Sequence, residues 1–237
     1  MALIWAACAR VIPDYSKEKL LIDADIKGPG KAVGPYFDET PLKDSLGATL
    51  QELQLDGDVN ARLHLDIPLN GELVTAKGEV TLRNNSLFIK PLDSTLKNLS
   101  GKFSFINSDL QSEPLTASWF NQPLNVDFST KEGAKAYQVA VNLNGNWQPA
   151  KTGVLPEAVN EALSGSVAWD GKVGIDLPYH AGATYNIELN GDLKNVSSHL
   201  PSPLAKPAGE PLAVNVKVDG NLNSFELTGQ AGADNHF

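Results

Sequence analysis

The 237-residue sequence contains one cysteine, Cys8. That excludes an internal disulfide framework and any metal site built from several thiolates. Positive charge is also scarce, with 19 Lys and Arg against 28 Asp and Glu for a formal net charge of −9. So acidic a chain has little with which to neutralise phosphates, which argues against a nucleic-acid partner. No run approaches the ~20 consecutive apolar residues of a membrane-spanning helix. Only Met1–Arg10 (MALIWAACAR) hints at a leader, because Ile4-Trp5-Ala6-Ala7-Cys8 loosely suggests a lipoprotein cleavage site. It lacks the positive n-region and long apolar h-region of a signal, and reads instead as the ragged beginning of a chain cut from something longer.

Apolar residues make up 42% of the chain and charged ones 20%, a globular rather than disordered balance. Twenty Gly and fifteen Pro supply turns for many short strands. Alternation of apolar and polar residues runs through nearly the whole chain. Its clearest stretch is Leu53, Leu55, Gly57, Val59, Ala61, Leu63, Leu65, Ile67 and Leu69, with Gln54, Asp56, Asp58, Asn60, Arg62, His64, Asp66 and Pro68 on the other phase. Further alternating stretches include Val139/Val141/Leu143, Ile187/Leu189 and Val214/Val216/Val218. The pattern predicts about fifteen antiparallel strands with one apolar face. Laid side by side in one strip, they would extend roughly 70 Å.

A degenerate repeat, apolar-x-apolar-x-Gly-x-apolar, centres on Gly57, Gly78, Gly145, Gly191 and Gly220, with weaker copies at Gly28, Gly101, Gly165 and Gly229. Asp56-Gly57 and Asn190-Gly191 have the composition of two-residue hairpin turns. A turn at Asp56-Gly57 would place Leu55 opposite Asp58 and spoil the alternation on both strands. The five strong glycines therefore read as bulges or bends in long curved strands. Two segments switch to helical spacing, near 41–52 behind Thr40-Pro41 and near 156–164 behind Pro156, with Gly165 as terminator. The Pro-rich stretch 200–211 reads as a long loop.

Residues suited to catalysis are scattered. Gly28-Pro-Gly30-Lys-Ala-Val-Gly34 fits neither glycine-rich phosphate motif. His64, His180, His199 and His236 lack metal-ligand spacing, and Asp56, Asp58 and Asp66 read as a solvated face. Trp5, Trp119, Trp147 and Trp169 read as packing. The residues call for no enzyme, cofactor or metal.

The order and extent of certain segments resemble the AsmA-like superfamily of Gram-negative envelope proteins (the TamB and YhdP type), and most of all an internal stretch of the YhdP-type members. These segments are Ile12-Pro13-Asp14-Tyr15, Pro41–Leu46, Leu53–Pro68, Val80–Asn85, Leu96–Phe103 and Trp119–Pro123. The similarity runs from about Val11 to Phe237, leaving 1–10 outside it and without the family's anchor. It implies an all-β, elongated and curved antiparallel sheet of repeated strands, 11–237, forming an open hydrophobic groove with two short helices. It further implies a periplasmic segment of an inner-membrane-anchored lipid-transfer protein. Such a segment would contact phospholipid acyl chains and the flanking parts of the full-length protein. The groove floor would be Leu55, Val59, Ala61, Leu63, Leu65, Ile67, Val139, Val141, Leu143, Ile187, Leu189, Val214, Val216 and Val218. Two readings compete with it. One is a structural or adhesive β-sandwich or solenoid with a dry core; the other is a hydrolase of envelope glycans.

Overall fold

Alternating aliphatic residues favour pleated strands that bury one face, and turn residues punctuate them. The computed structural model of the chain describes residues 6–14, 18–32, 52–202, 204–221, 223–232 and 235–236. The helix expected near 41–52 falls almost wholly outside these residues. Contacts divide the chain into two units, Met1–Leu115 with Phe128–Tyr137, and Thr116–Asp127 with Gln138–Phe237.

In the first unit, β1 (Ala6–Asp14), β2 (Lys19–Pro29), β4 (Asp58–Pro68), β5 (Thr75–Ile89), β6 (Ser94–Ile106) and β7 (Asp109–Ser112) follow one another as antiparallel neighbours. β3 (Leu53–Asp56) also pairs with β5. β1 begins at Ala6 and pairs with β2 along its whole length, so the sheet takes in residues that the sequence suggested were a ragged start. β8 (Leu115–Trp119), β9 (Gln122–Glu132) and β10 (Ala136–Trp147) contribute to both units. The second unit continues with α1 (Glu157–Ala162), β11 (Leu163–Gly165), β12 (Val167–Pro178) and β13 (Thr184–Asp192). After these come β14 (Val196–Ser198), β15 (Ala213–Asn221), β16 (Phe225–Ala231) and β17 (Asn235–His236). One antiparallel strand order runs from β1 to β17, and β11 with β14 forms a separate two-stranded ladder.

α1 starts after Pro156 and ends at Leu163, which is already extended, two residues before the glycine expected to stop it. The Pro-rich segment is tied down by Lys206. Its Nζ donates to the carbonyls of Leu193, Val196 and Pro207 at 2.9, 3.0 and 3.1 Å.

Gly57 separates β3 from β4, and both strands pair with β5, so the chain bends there and does not reverse. The glycine sits at φ 92°, and a Cβ on it would fall 2.8 Å from Asn85 Nδ2. Asn85 is fully buried and fully satisfied. Its Nδ2 donates to the carbonyls of Asp56 and Asp58, and its Oδ1 accepts from the Arg83 N–H. The irregularity carries across β5 and β6, whose register shifts on both sides of Asn85, with Asn84, Asn98 and Gly101 at positive φ. The first unit's core gathers around this bend, where Val59, Leu82, Leu96, Leu99 and Leu115 are buried.

The second unit repeats the joint. Gly165, at φ 98°, ends β11 opposite Val196 on β14, and Ala168 opposite Asp192 resumes the pairing on β12 and β13. A Cβ on Gly165 would lie 1.9 Å from the Asn195 carbonyl oxygen and 3.1 Å from Val196 Cα. Leu193-Lys194-Asn195-Val196-Ser197 thus occupies the place of Leu82-Arg83-Asn84-Asn85-Ser86, with buried Val196 where the first unit has Asn85. β4 and β12 also end alike, in Asp66-Ile67-Pro68 and Asp176-Leu177-Pro178.

The other repeat glycines do not bend their strands. Gly78, Gly191 and Gly220 lie in uninterrupted register, Gly145 lies inside β10, and none of the four has positive φ. Most leave room for an aromatic neighbour. The Phe105 ring lies 2.7 Å from a Cβ on Gly78, and Trp147 Nε1 lies 2.7 Å from one on Gly145. At Gly220 the same distance to Phe225 Cβ and to the Tyr185 hydroxyl is 2.8 Å.

Candidate functional site

Directly opposed residues of an antiparallel pair project from one face, so register converts the alternation into rows that cross strands. In the first unit Ile22, Leu65 and Ala76 form one row, and Ala24, Leu63, Gly78, Phe105 and Leu110 form the next. Ile26, Ala61, Val80 and Phe103 follow, and then Gly28, Val59, Leu82 and Gly101. Ile67 stands opposite Leu20, and Leu55 opposite Leu87 beyond the bend. The second unit carries four rows of the same kind. They are Trp169–Gly191–Val214–Ala231, Gly171–Leu189–Val216–Gly229, Val173–Ile187–Val218–Leu227 and Ile175–Tyr185–Gly220–Phe225. Val139, Val141 and Leu143 share one phase of β10.

The opposite face is charged and cross-linked. Lys19 pairs with Asp66 at 2.8 Å, His64 with Asp23 at 2.6 Å, and Lys102 with Glu79 at 2.9 Å. In the second unit a polar row crosses four strands: Asn190 donates to Asp170 at 3.2 Å, and Asn215 donates to Asn190 at 2.7 Å. Asp170, Asn190, Asn215 and Gln230 line an open hollow of about 530 Å³ on this side.

Burial separates these rows from an ordinary core. In the first unit Val59 and Leu82, next to the bend, are buried, while Ala61, Leu63, Leu65 and Ile67 are half-buried. Across all four rows of the second unit only Gly171 is buried, and at the outer strand Phe225 and Leu227 are 68% and 46% exposed. Leu55, Val139, Val141 and Leu143 are half-buried as well. A second layer packed on these faces would bring such residues close to full burial. Among the described residues there is no such layer over the second unit's rows.

The titratable groups are dispersed. Among the described residues no three His, Cys, Asp or Glu side chains gather as a metal site would require, and no helix is long and apolar enough to cross a membrane. One carboxyl in the first unit departs from its ordinary behaviour. Partial burial works to raise the Asp109 pKa, but hydrogen bonds from the Lys131 ammonium and the Glu132 N–H, with the lysine's charge, hold it below the usual carboxylate value. Beside it the buried Tyr137 hydroxyl donates to the Ser108 carbonyl at 2.7 Å. This cluster fastens β7 to β9 and β10.

The family model described as YhdP protein matches residues 7–237. The chain belongs to the YhdP protein family. No solved structure matches it. For this family member the match begins inside β1 and takes in both units, so the two bends and both sets of apolar rows lie within the shared region.

The aromatic cluster of Trp119, Phe120, Trp147 and Trp169 is a feature the sequence did not disclose. Its members come from the end of β8 and the turn after it, from β10 and from β12, and nothing in their spacing relates them.

Proposed function

We propose that this chain is a segment of a bridge-like lipid-transfer protein, whose apolar rows carry phospholipid acyl chains between inner and outer membrane. The supporting observation is a series of strands whose in-register apolar side chains stay half-buried while the opposite face is charged and hydrogen-bonded. Membership of the YhdP family points the same way. Each acyl CH₂ moved from water onto such a surface contributes about 0.8 kcal/mol at full burial, so two long chains supply ample affinity. Successive rows offer equivalent aliphatic contacts, which lets a lipid pass from strand to strand without a deep trap. Its headgroup stays in water, and the chemistry is non-covalent. The setting proposed is the periplasm, as part of a protein anchored in the inner membrane.

The test is photo-crosslinking with a diazirine residue placed at Leu63 and, separately, at its neighbour Arg62. Leu63 lies on the apolar face, and the Arg62 side chain is 83% exposed on the other. Phospholipid adducts at Leu63 and not at Arg62 are expected in cells. Protein adducts at Leu63 in place of lipid would mean a covered, dry face and a structural module.

A further inference from the structure

Three of the chain's four tryptophans meet in the second unit. Trp119 and Phe120 stack at 4.7 Å. Trp147 stands edge-on to Trp119 at 6.2 Å, to Phe120 at 6.3 Å and to Trp169 at 4.8 Å. All four rings are half-buried. Trp147 Nε1 donates to the Pro123 carbonyl at 2.6 Å, which pins that ring. Trp169 Nε1 is enclosed and has no acceptor, and an enclosed donor without a partner demands an explanation.

Position gives the cluster its meaning. Trp169 lies in the first apolar row that β12 shares with β13, and six residues along the strand the last shared row pairs Ile175 with Tyr185, with Phe225 two strands further on. Between these ends the face is aliphatic or glycine: Gly171, Val173, Leu189, Ile187, Val216 and Val218. The strip therefore has aromatic residues at both ends, about 20 Å apart along the strands: Trp169 on β12 at one, Tyr185 on β13 and Phe225 on β16 at the other. One leaflet's share of a ~30 Å hydrocarbon core is about 15 Å, a similar depth. Indole rings favour the boundary between chains and headgroups in a bilayer, where an apolar body and an N–H donor are both satisfied.

We propose that this strip seats one phospholipid at a time with its acyl chains along the strands and its glycerol-ester region at Trp147 and Trp169. The assignment rests on the lipid-carrying reading above and adds orientation and depth to it. A small rotation of the Trp169 ring toward the strip brings its N–H to an ester carbonyl, the acceptor it lacks. The lipid then reaches and leaves this seat across strands, sideways to its own chains.

The test uses the tryptophans as their own reporters. In the full chain with Trp5→Phe, fluorescence is followed with bound phosphatidylcholine brominated either next to the ester or at the chain end, and bound lipid is counted by organic phosphate. Quenching about twice as strong from bromine near the ester is expected. Equal or stronger quenching from the chain-end bromine, with lipid bound, overturns the orientation and leaves lipid carriage standing. Absence of bound lipid at every concentration removes both readings. Trp169→Phe keeps a six-membered aromatic ring and deletes the indole N–H. It is expected to lower retained phospholipid about two- to threefold, with the melting temperature of the lipid-free protein recorded alongside to separate a loss of packing. Unchanged retention would deny the N–H its role.

Discussion

The side-chain amide of Asn85 straddles Gly57, donating at 3.0 Å to the carbonyl before it and at 3.1 Å to the carbonyl after it. The glycine supplies a backbone angle that other residues reach only with strain, and the asparagine satisfies the two carbonyls that the bend takes out of the ladder. Asn85→Ala is expected to cost about 2–4 kcal/mol, because two enclosed carbonyls and the Arg83 N–H lose their partner. Gly57→Ala should cost about 1–3 kcal/mol through its positive φ. The double variant should lose less than the sum, since the residues form one joint. Urea unfolding of the four proteins checks all three values.

Acid sensitivity is expected to centre on Asp109. Its folded-state pKa is depressed, so its contribution to stability is complete above the ordinary aspartate value of about 4 and is lost as pH falls through the folded value. Asp109→Asn should flatten the dependence of melting temperature on pH below about 4 and change little near neutrality beyond a constant offset. An unchanged acid limb in the variant would show that other carboxyls dominate it.

Stability and lipid retention should separate on the apolar face. Leu65 is half-buried, so Leu65→Asp is expected to lower stability by about 1–2 kcal/mol while sharply reducing retained phospholipid. Asp25→Asn, on the opposite face beside Arg62, should leave both nearly unchanged. Phosphate analysis of the purified proteins, read alongside thermal melts, distinguishes the two effects.

Self-association is expected at the strand edge of β16. Among the described residues β17 pairs only with Gln230 and Ala231, and no strand covers the outer backbone groups of Phe225–Gly229 beside an exposed Phe225 and Leu227. Light scattering should show oligomers growing with concentration, and Leu227→Lys should suppress them. A monodisperse monomer at high concentration would contradict this.

Period-two alternation was sufficient to place Leu63 with Leu65, and Val216 with Val218, each pair on one face of its own strand, because side-chain parity in a strand has only two answers. Parity also sufficed to read Gly57 as a bend. It did not separate Gly57 from Gly78, Gly145, Gly191 and Gly220, since a glycine that relieves backbone strain and one that makes room for a neighbouring ring look identical in sequence. The difference lies in what surrounds each position in the fold: Asn85 at the first, the Arg62 carbonyl and the Phe105 ring at Gly78, and aromatic side chains at Gly145 and Gly220. The tryptophan cluster was hidden for the same reason. Trp147 and Trp169 meet because their strands are neighbours, and Phe120 reaches them from a turn at φ 48°. The resemblance to envelope proteins, carried by the order of whole segments, located the family where single motifs were too degenerate.

The joint at Gly57 and its counterpart at Gly165 are each made from one continuous stretch of chain, a strand, a glycine and a later strand that pairs back on the first, within 53–89 and 163–198. A part that closes on itself in this way can be duplicated by copying a stretch of gene, and neither copy has to be redesigned to receive the other. Asn85 and Val196 fill the two joints at matching places in different ways, one with an amide bonded to the bend's carbonyls, the other with a buried aliphatic side chain.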